Sequence, residues 1–180
     1  VMAEVRRNMP FIRGVTVSGG ECTLHRDFLV ELARLARSER LNFLLDSNGS
    51  RNFSEDAELT AAIDGVMLDV KAWDEAEHIR LTDCSNRMVL RNLRFLAQAG
   101  KLEEVRTVVV PELMNAEVTV RSVCETLCAM NAQNVRYKLI RFRPMGVRAE
   151  YRNLAVPPEA LMRKLEAVAH SMGIRNTVLI

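Results

Sequence analysis

Short β-favouring runs and longer amphipathic stretches take turns along this chain, and that alternation restricts its fold more than any other feature. The runs at residues 15–17, 41–45, 66–71, 105–110, 135–140 and 177–180 are rich in valine, leucine and isoleucine. Between them lie stretches with helical spacing. Residues 27–40 carry Phe28, Leu29, Leu32, Leu35 and Ala36 among charges. Ser54-Glu55-Asp56 reads as an N-cap followed by acids, leading a short helix through Ala61. Two helical stretches fill residues 74–100, the second over 86–99 with Gly100 as its stop. A helix over 116–130 follows, and Pro157-Pro158-Glu159 opens a last one that Gly173 ends. Connections of that length between consecutive strands imply parallel pairing with right-handed crossovers, so the fold class is α/β. Periodicity alone allows either an open sheet or one curled into a barrel.

With 180 residues and 48% hydrophobic content, the chain can bury a full core, and residues 1–180 read as a single domain. Its 25 Lys and Arg against 23 acids leave a net charge of +2, which gives no case for a nucleic-acid or membrane surface. No apolar run reaches the length of a membrane span and Val1-Met2-Ala3-Glu4-Val5-Arg6-Arg7 does not read as a secretory signal, so a cytoplasmic protein is expected. The chain opens on Val1 inside an amphipathic stretch (Val1, Met2, Val5, Met9), which points to coding sequence missing upstream. Four cysteines, Cys22, Cys84, Cys124 and Cys128, make no disulfide framework; Cys124 and Cys128 share one helix face and read as buried structural thiols. His25, His78 and His170 are scattered and form no catalytic grouping.

Charged residues gather where strands end. Val15-Thr16-Val17-Ser18 runs into Gly19-Gly20-Glu21, where two residues without Cβ bring the backbone within reach of a ligand and an acid follows. That turn suits an ammonium group; read alone, it better suits an ordinary strand-to-helix connection with an exposed Glu. The run Met67-Leu68-Asp69-Val70-Lys71 alternates, placing Met67, Asp69 and Lys71 on one face and apolar residues on the other. Glu21, Asp46, Asp69, Lys71 and Arg143 fall at or just past strand carboxyl ends, with Arg106 deeper in its strand. In α/β proteins those ends form the ligand site. Isolated ions there are costly to desolvate, so two readings stand: the charges pair with one another, or a small zwitterion bridges them. A P-loop, a nucleophile elbow and GxGxxG are all absent.

Four motifs in order, Ser18-Gly19-Gly20-Glu21, Leu45-Asp46-Ser47-Asn48-Gly49, Met67-Leu68-Asp69-Val70-Lys71 and Arg106-Thr107-Val108-Val109-Val110-Pro111, resemble the radical S-adenosylmethionine (SAM) enzymes that activate glycyl radical enzymes, as in the pyruvate formate-lyase activating family. The resemblance covers nearly the whole chain. It implies a partial (β/α)6 barrel of parallel strands, with the first strand and the cluster loop missing here. It implies SAM as the zwitterion, its amino group held by Gly19, Gly20 and Glu21. Asp69 and Lys71 would contact its ribose and methionine portions, and Arg106 its carboxylate. Asp46, Ser47, Met67 and Asp69 match positions that surround a monovalent cation in that family. Arg143 stands where the family commonly has histidine, and Cys22 where it commonly has proline; Cys22 reads as a small buried side chain.

The family holds a [4Fe–4S] cluster on a Cys-x3-Cys-x2-Cys loop, which does not occur in this sequence. The resemblance therefore implies a fragment, inactive as it stands, whose cluster cysteines lie upstream of Val1. The full-length enzyme would use a 5′-deoxyadenosyl radical to take hydrogen from a glycine of a partner glycyl radical enzyme. A flavodoxin or ferredoxin would serve as reductant, and the protein would be a monomer. A radical SAM enzyme acting on a small molecule and a non-catalytic barrel fragment are the alternatives.

Overall fold

A computed structural model describes all of residues 1–180. Helix α1 (Met2–Asn8) leads into β1 (Gly14–Val17), followed by α2 (Arg26–Ser38), β2 (Asn42–Ser47), α3 (Ala57–Ala62), β3 (Gly65–Asp69), α4 (Glu75–Thr82), α5 (Arg87–Gln98), β4 (Leu102–Val109), α6 (Ala116–Ala129), β5 (Arg136–Arg141), α7 (Glu159–Ser171) and β6 (Thr177–Leu179). The six strands form one sheet in chain order with every neighbouring pair parallel. The alternation in the sequence thus yields the α/β fold it implied. Strands β1 and β6 have one neighbour each, so the sheet stays open. No helix is long and apolar enough to cross a membrane.

Because the strand order never reverses, right-handed crossovers set the connecting helices on the same face of the sheet. That face is apolar. Phe43 and Leu45 of β2, Val66 and Leu68 of β3, Val105 of β4 and Leu139 of β5 join one core with Leu29, Leu93, Leu127 and Leu165 from four helices. A polar pair within it is matched internally: Thr107 Oγ1 lies 3.0 Å from the Tyr137 hydroxyl and donates to the Val70 carbonyl at 2.9 Å. Burial pushes the Tyr137 phenol well above its ordinary value, so the pair is neutral. The alternate residues of the same strands, among them Asp46, Met67, Asp69, Glu104, Arg106 and Lys138, occupy the opposite face.

Three boundaries differ from the sequence expectation. Strand β2 runs on through Asp46 and Ser47, past the apolar run at 41–45, because Leu44–Ser47 finds partners along Gly65–Leu68. The short helix α3 is capped by Asp56, which accepts from the Leu59 N–H, and not by Ser54, whose hydroxyl donates to Asn52 instead. Strand β4 begins three residues earlier than its apolar run, at Leu102. Glu104, an unpromising strand residue by propensity, is drawn in by cations on its own face. The Gly49 turn after β2 needs its glycine twice over. Its φ is +73°, and a Cβ there would lie 2.7 Å from Leu68 Cδ1.

Candidate cofactor-binding site

The turn after β1 is built differently from what its charge suggested. Gly19 and Gly20 have φ of +104° and +52°, and a Cβ on either would meet nothing within 4 Å. Glycine is therefore needed there for the backbone conformation, and the backbone faces open space. Glu21 is 8% exposed, and its side chain turns inward. One carboxylate oxygen accepts from Thr23 N (3.1 Å), Thr23 Oγ1 (2.6 Å) and Ser47 Oγ (2.9 Å); the other accepts from Asn48 N (2.7 Å). With that many protein donors the carboxylate fastens the β1 turn to the β2 turn; the donors are all neutral, so its negative charge stays behind the Gly19-Gly20 main chain. What the turn presents outward is main chain.

The remaining predicted acids and bases do meet on the polar face. Asp46 Oδ2 accepts from Ser18 Oγ at 3.2 Å and from Arg106 Nη1 at 2.7 Å. Asp69 and Lys71 pair at 2.7 Å, both partly exposed at the carboxyl end of β3. Arg106 also touches Met67, Nη2 to Sδ at 3.0 Å, and donates through Nε to Glu104. Register accounts for the cluster, since Asp46 stands opposite Met67, and Asp69 opposite Arg106, on adjacent strands. Self-pairing, one of the two readings left open by the sequence, is thus realised among these side chains. Arg143 is elsewhere. It is exposed beyond β5, lining a cleft with Arg141, Glu159 and Ile180 at the β6 side of the sheet.

Sequence reasoning missed the centre of this network. Glu104 has a side chain with no exposed surface and receives Arg106 and Lys138 (2.9 Å) on one oxygen and Arg136 (3.2 Å) on the other. Burial pushes its carboxyl up, yet the hydrogen bonds from Arg106 and Lys138 outweigh that and hold it below the ordinary glutamate value. The usable signal was period two: Glu104 and Arg106 on one strand, Arg136 and Lys138 on the next, all facing the same way.

A protein-family model described as the radical SAM superfamily matches residues 1–121. The chain belongs to the radical SAM superfamily. Its relatives place it among the glycyl-radical enzyme activating enzymes of that superfamily. A Haemophilus influenzae protein provisionally named a glycyl-radical enzyme activating enzyme is 32% identical, covering 98% of this chain and 75% of its own. The pyruvate formate-lyase-activating enzyme of Streptococcus mutans is 32% identical over 80% of this chain and 56% of its own length, so this radical SAM chain spans little more than half of that relative. In architecture it matches a domain of pyruvate-formate lyase-activating enzyme from Bacteroides vulgatus, with a TM-score of 0.78 at 20% identity, covering 93% and 98% of the two chains. It also matches Streptococcus suis SuiB bound to the precursor peptide SuiA, with a TM-score of 0.76 at 13% identity, covering 99% of this chain and 40% of the other.

Radical SAM proteins use SAM together with a [4Fe–4S] cluster. The cysteines of this radical SAM chain do not fit a cluster. Cys22 is buried, its thiol donates to the Asp46 carbonyl at 3.3 Å, and burial followed by the charge of Glu21 pushes it up to about 11. Burial, with Cys128 nearby, pushes Cys124 up to about 12. Cys84 is exposed in the loop between α4 and α5, and no three Cys, His, Asp or Glu side chains converge as a metal site. The polar face suits SAM better: open main chain at Gly19 and Gly20 lies across the strand ends from the partly exposed Asp69 and Lys71 and the mostly buried Arg106.

Proposed function

We propose that this chain is the SAM-binding part of a glycyl radical enzyme activase, an N-terminally shortened single domain whose cluster cysteines lie upstream of Val1. The observation that carries the reading is the open Gly19-Gly20 main chain beside paired charges at the ends of β2 and β3 and on the middle of β4. Main-chain carbonyls at Gly19 and Gly20 accept from the SAM ammonium, with the Glu21 carboxylate holding the turn in place from behind. Asp69 is an acceptor for the ribose hydroxyls, and Lys71 and Arg106 oppose the SAM carboxylate. SAM held by Gly19, Gly20, Asp69, Lys71 and Arg106 would, with a reduced cluster bound, supply the radical chemistry for taking a hydrogen atom from a glycine of the partner enzyme. A flavodoxin or ferredoxin delivers the electron.

Asp69→Ala and Lys71→Ala test the assignment in the protein extended to its cluster cysteines. Each removes a charge-assisted contact to the ligand, so SAM binding should weaken roughly tenfold or more. The urea midpoint should move little, because a partly exposed ion pair contributes about 1 kcal/mol or less. SAM cleavage at wild-type levels by both variants would remove β3 from the site. A glycine-centred electron paramagnetic resonance signal in a glycyl radical enzyme, formed only with the wild-type protein, is the expected readout for the partner; SAM cleavage without that signal in any glycyl radical enzyme would favour a small-molecule substrate.

A further inference from the structure

The four positions Asp46, Ser47, Met67 and Asp69 do not form a cation cage in this chain. Ser47 leaves the set, since successive strand residues face opposite ways and its hydroxyl lies on the helix side, donating to Glu21 and accepting from Gly49 N. Asp46 and Met67 are register partners on β2 and β3, and Asp46 Oδ2 and Met67 Sδ both already face one cation, the Arg106 guanidinium. Asp69 faces another, the Lys71 ammonium.

Arg106 is held in that position from behind. Glu104 lies two residues earlier on the same face of β4, fully buried, and takes the Arg106 Nε. Its own freedom is removed by β5, where Lys138 and Arg136 bind its two oxygens. With Nε committed, the planar fork can only present its two terminal nitrogens towards β3 and β2, where Met67 and Asp46 lie. A guanidinium never loses its charge, and here it supplies a fixed positive charge at the place a mobile alkali ion would otherwise take.

We infer that Arg106, aimed by the positioning residue Glu104, is a built-in replacement for a monovalent cation, so that the cofactor site of this chain works without sodium or potassium. The inference concerns ion occupancy between Asp46 and Met67, and only its link to SAM rests on the proposed function.

Two measurements separate the two. In the first, the sodium-23 relaxation rate is followed as NaCl is titrated into the chain without SAM. The wild type should show no saturable sodium site, whereas Arg106→Gln, which exposes Asp46 while Glu104 keeps Lys138 and Arg136, and the double variant Glu104→Gln/Arg106→Gln should each gain one. Two variants guard against a loss of fold in either. Saturable sodium binding by the wild type that Asp46→Asn abolishes overturns the inference, and so does failure of both folded variants to gain a site. In the second, SAM affinity is compared in KCl and in tetramethylammonium chloride at equal ionic strength. Wild-type affinity should not change, and both variants should bind roughly two- to fivefold more tightly in KCl, the scale of one partly exposed ion contact. A wild type that needs KCl contradicts the inference. If no version binds SAM in either salt, the proposed function fails while the sodium measurement still decides the occupancy.

Discussion

Replacing Asn92 by alanine is expected to destabilise the chain by about 3 kcal/mol, measured as a shift in the urea unfolding midpoint at unchanged m-value. Asn92 lies on the inner face of α5 with no exposed surface. Its amide nitrogen donates to the Gly49 carbonyl (2.9 Å) and the Arg51 carbonyl (2.6 Å), and its oxygen accepts from the Phe53 N–H (3.1 Å). One side chain thus satisfies three backbone groups of the segment after β2, where no regular structure can do so. Alanine strands all three. Aspartate is no remedy, because a carboxylate cannot donate to the two carbonyls and would be a buried charge. The same segment starts at Asn48, whose N–H holds Glu21, so the damage should spread to the Gly19-Gly20 turn. A loss below about 1 kcal/mol would mean that solvent reaches these groups after truncation.

Glu104→Ala should cost a similar amount, about 3 kcal/mol at neutral pH, by removing the shared partner of three cations. Arg106 and Lys138 are mostly buried and are left poorly compensated; Arg136 is about half exposed and recovers water. Glu104→Gln should cost less, since the amide keeps the volume and an acceptor oxygen. The effect must also depend on pH with a defined sign. The folded-state value of Glu104 lies below its unfolded one, so its contribution is complete above the ordinary glutamate value of about 4.3 and is lost as pH falls through the lower folded value. The gap in unfolding free energy between wild type and Glu104→Gln should be largest near pH 7 and close in the acid range. A gap independent of pH would show that the charge of Glu104 does not stabilise the fold.

Much of the architecture was legible because parallel strands buried under helices read as apolar runs and their helices as amphipathic ones. The limits of β2 and β4 were hidden by Asp46, Ser47 and Glu104, polar residues that only a neighbouring strand can explain. The rim was legible for the same reason the fold was: alternation on β3 put Met67 and Asp69 together, and the strand ends did the rest. What alternation could not show was which partner each charge chooses. Glu21 turned to hydroxyls and main-chain N–H groups, and Arg106 reached over β3 to Asp46; both depend on register between strands far apart in sequence. Asn92 was missed for a different reason, since a lone asparagine on an apolar helix face gives no sign of a loop passing beside it.

The central claim is that the strand ends around Gly19-Gly20 and Asp69 bind SAM, and amide chemical-shift mapping of the isotope-labelled chain with millimolar SAM tests it most directly. Saturable shifts confined to Gly19, Gly20, Asp69, Lys71 and Arg106 are the predicted result. Shifts gathered instead at the cleft of Arg80, Leu113 and Asn115, between α4 and α6, or none at saturating ligand, would contradict it.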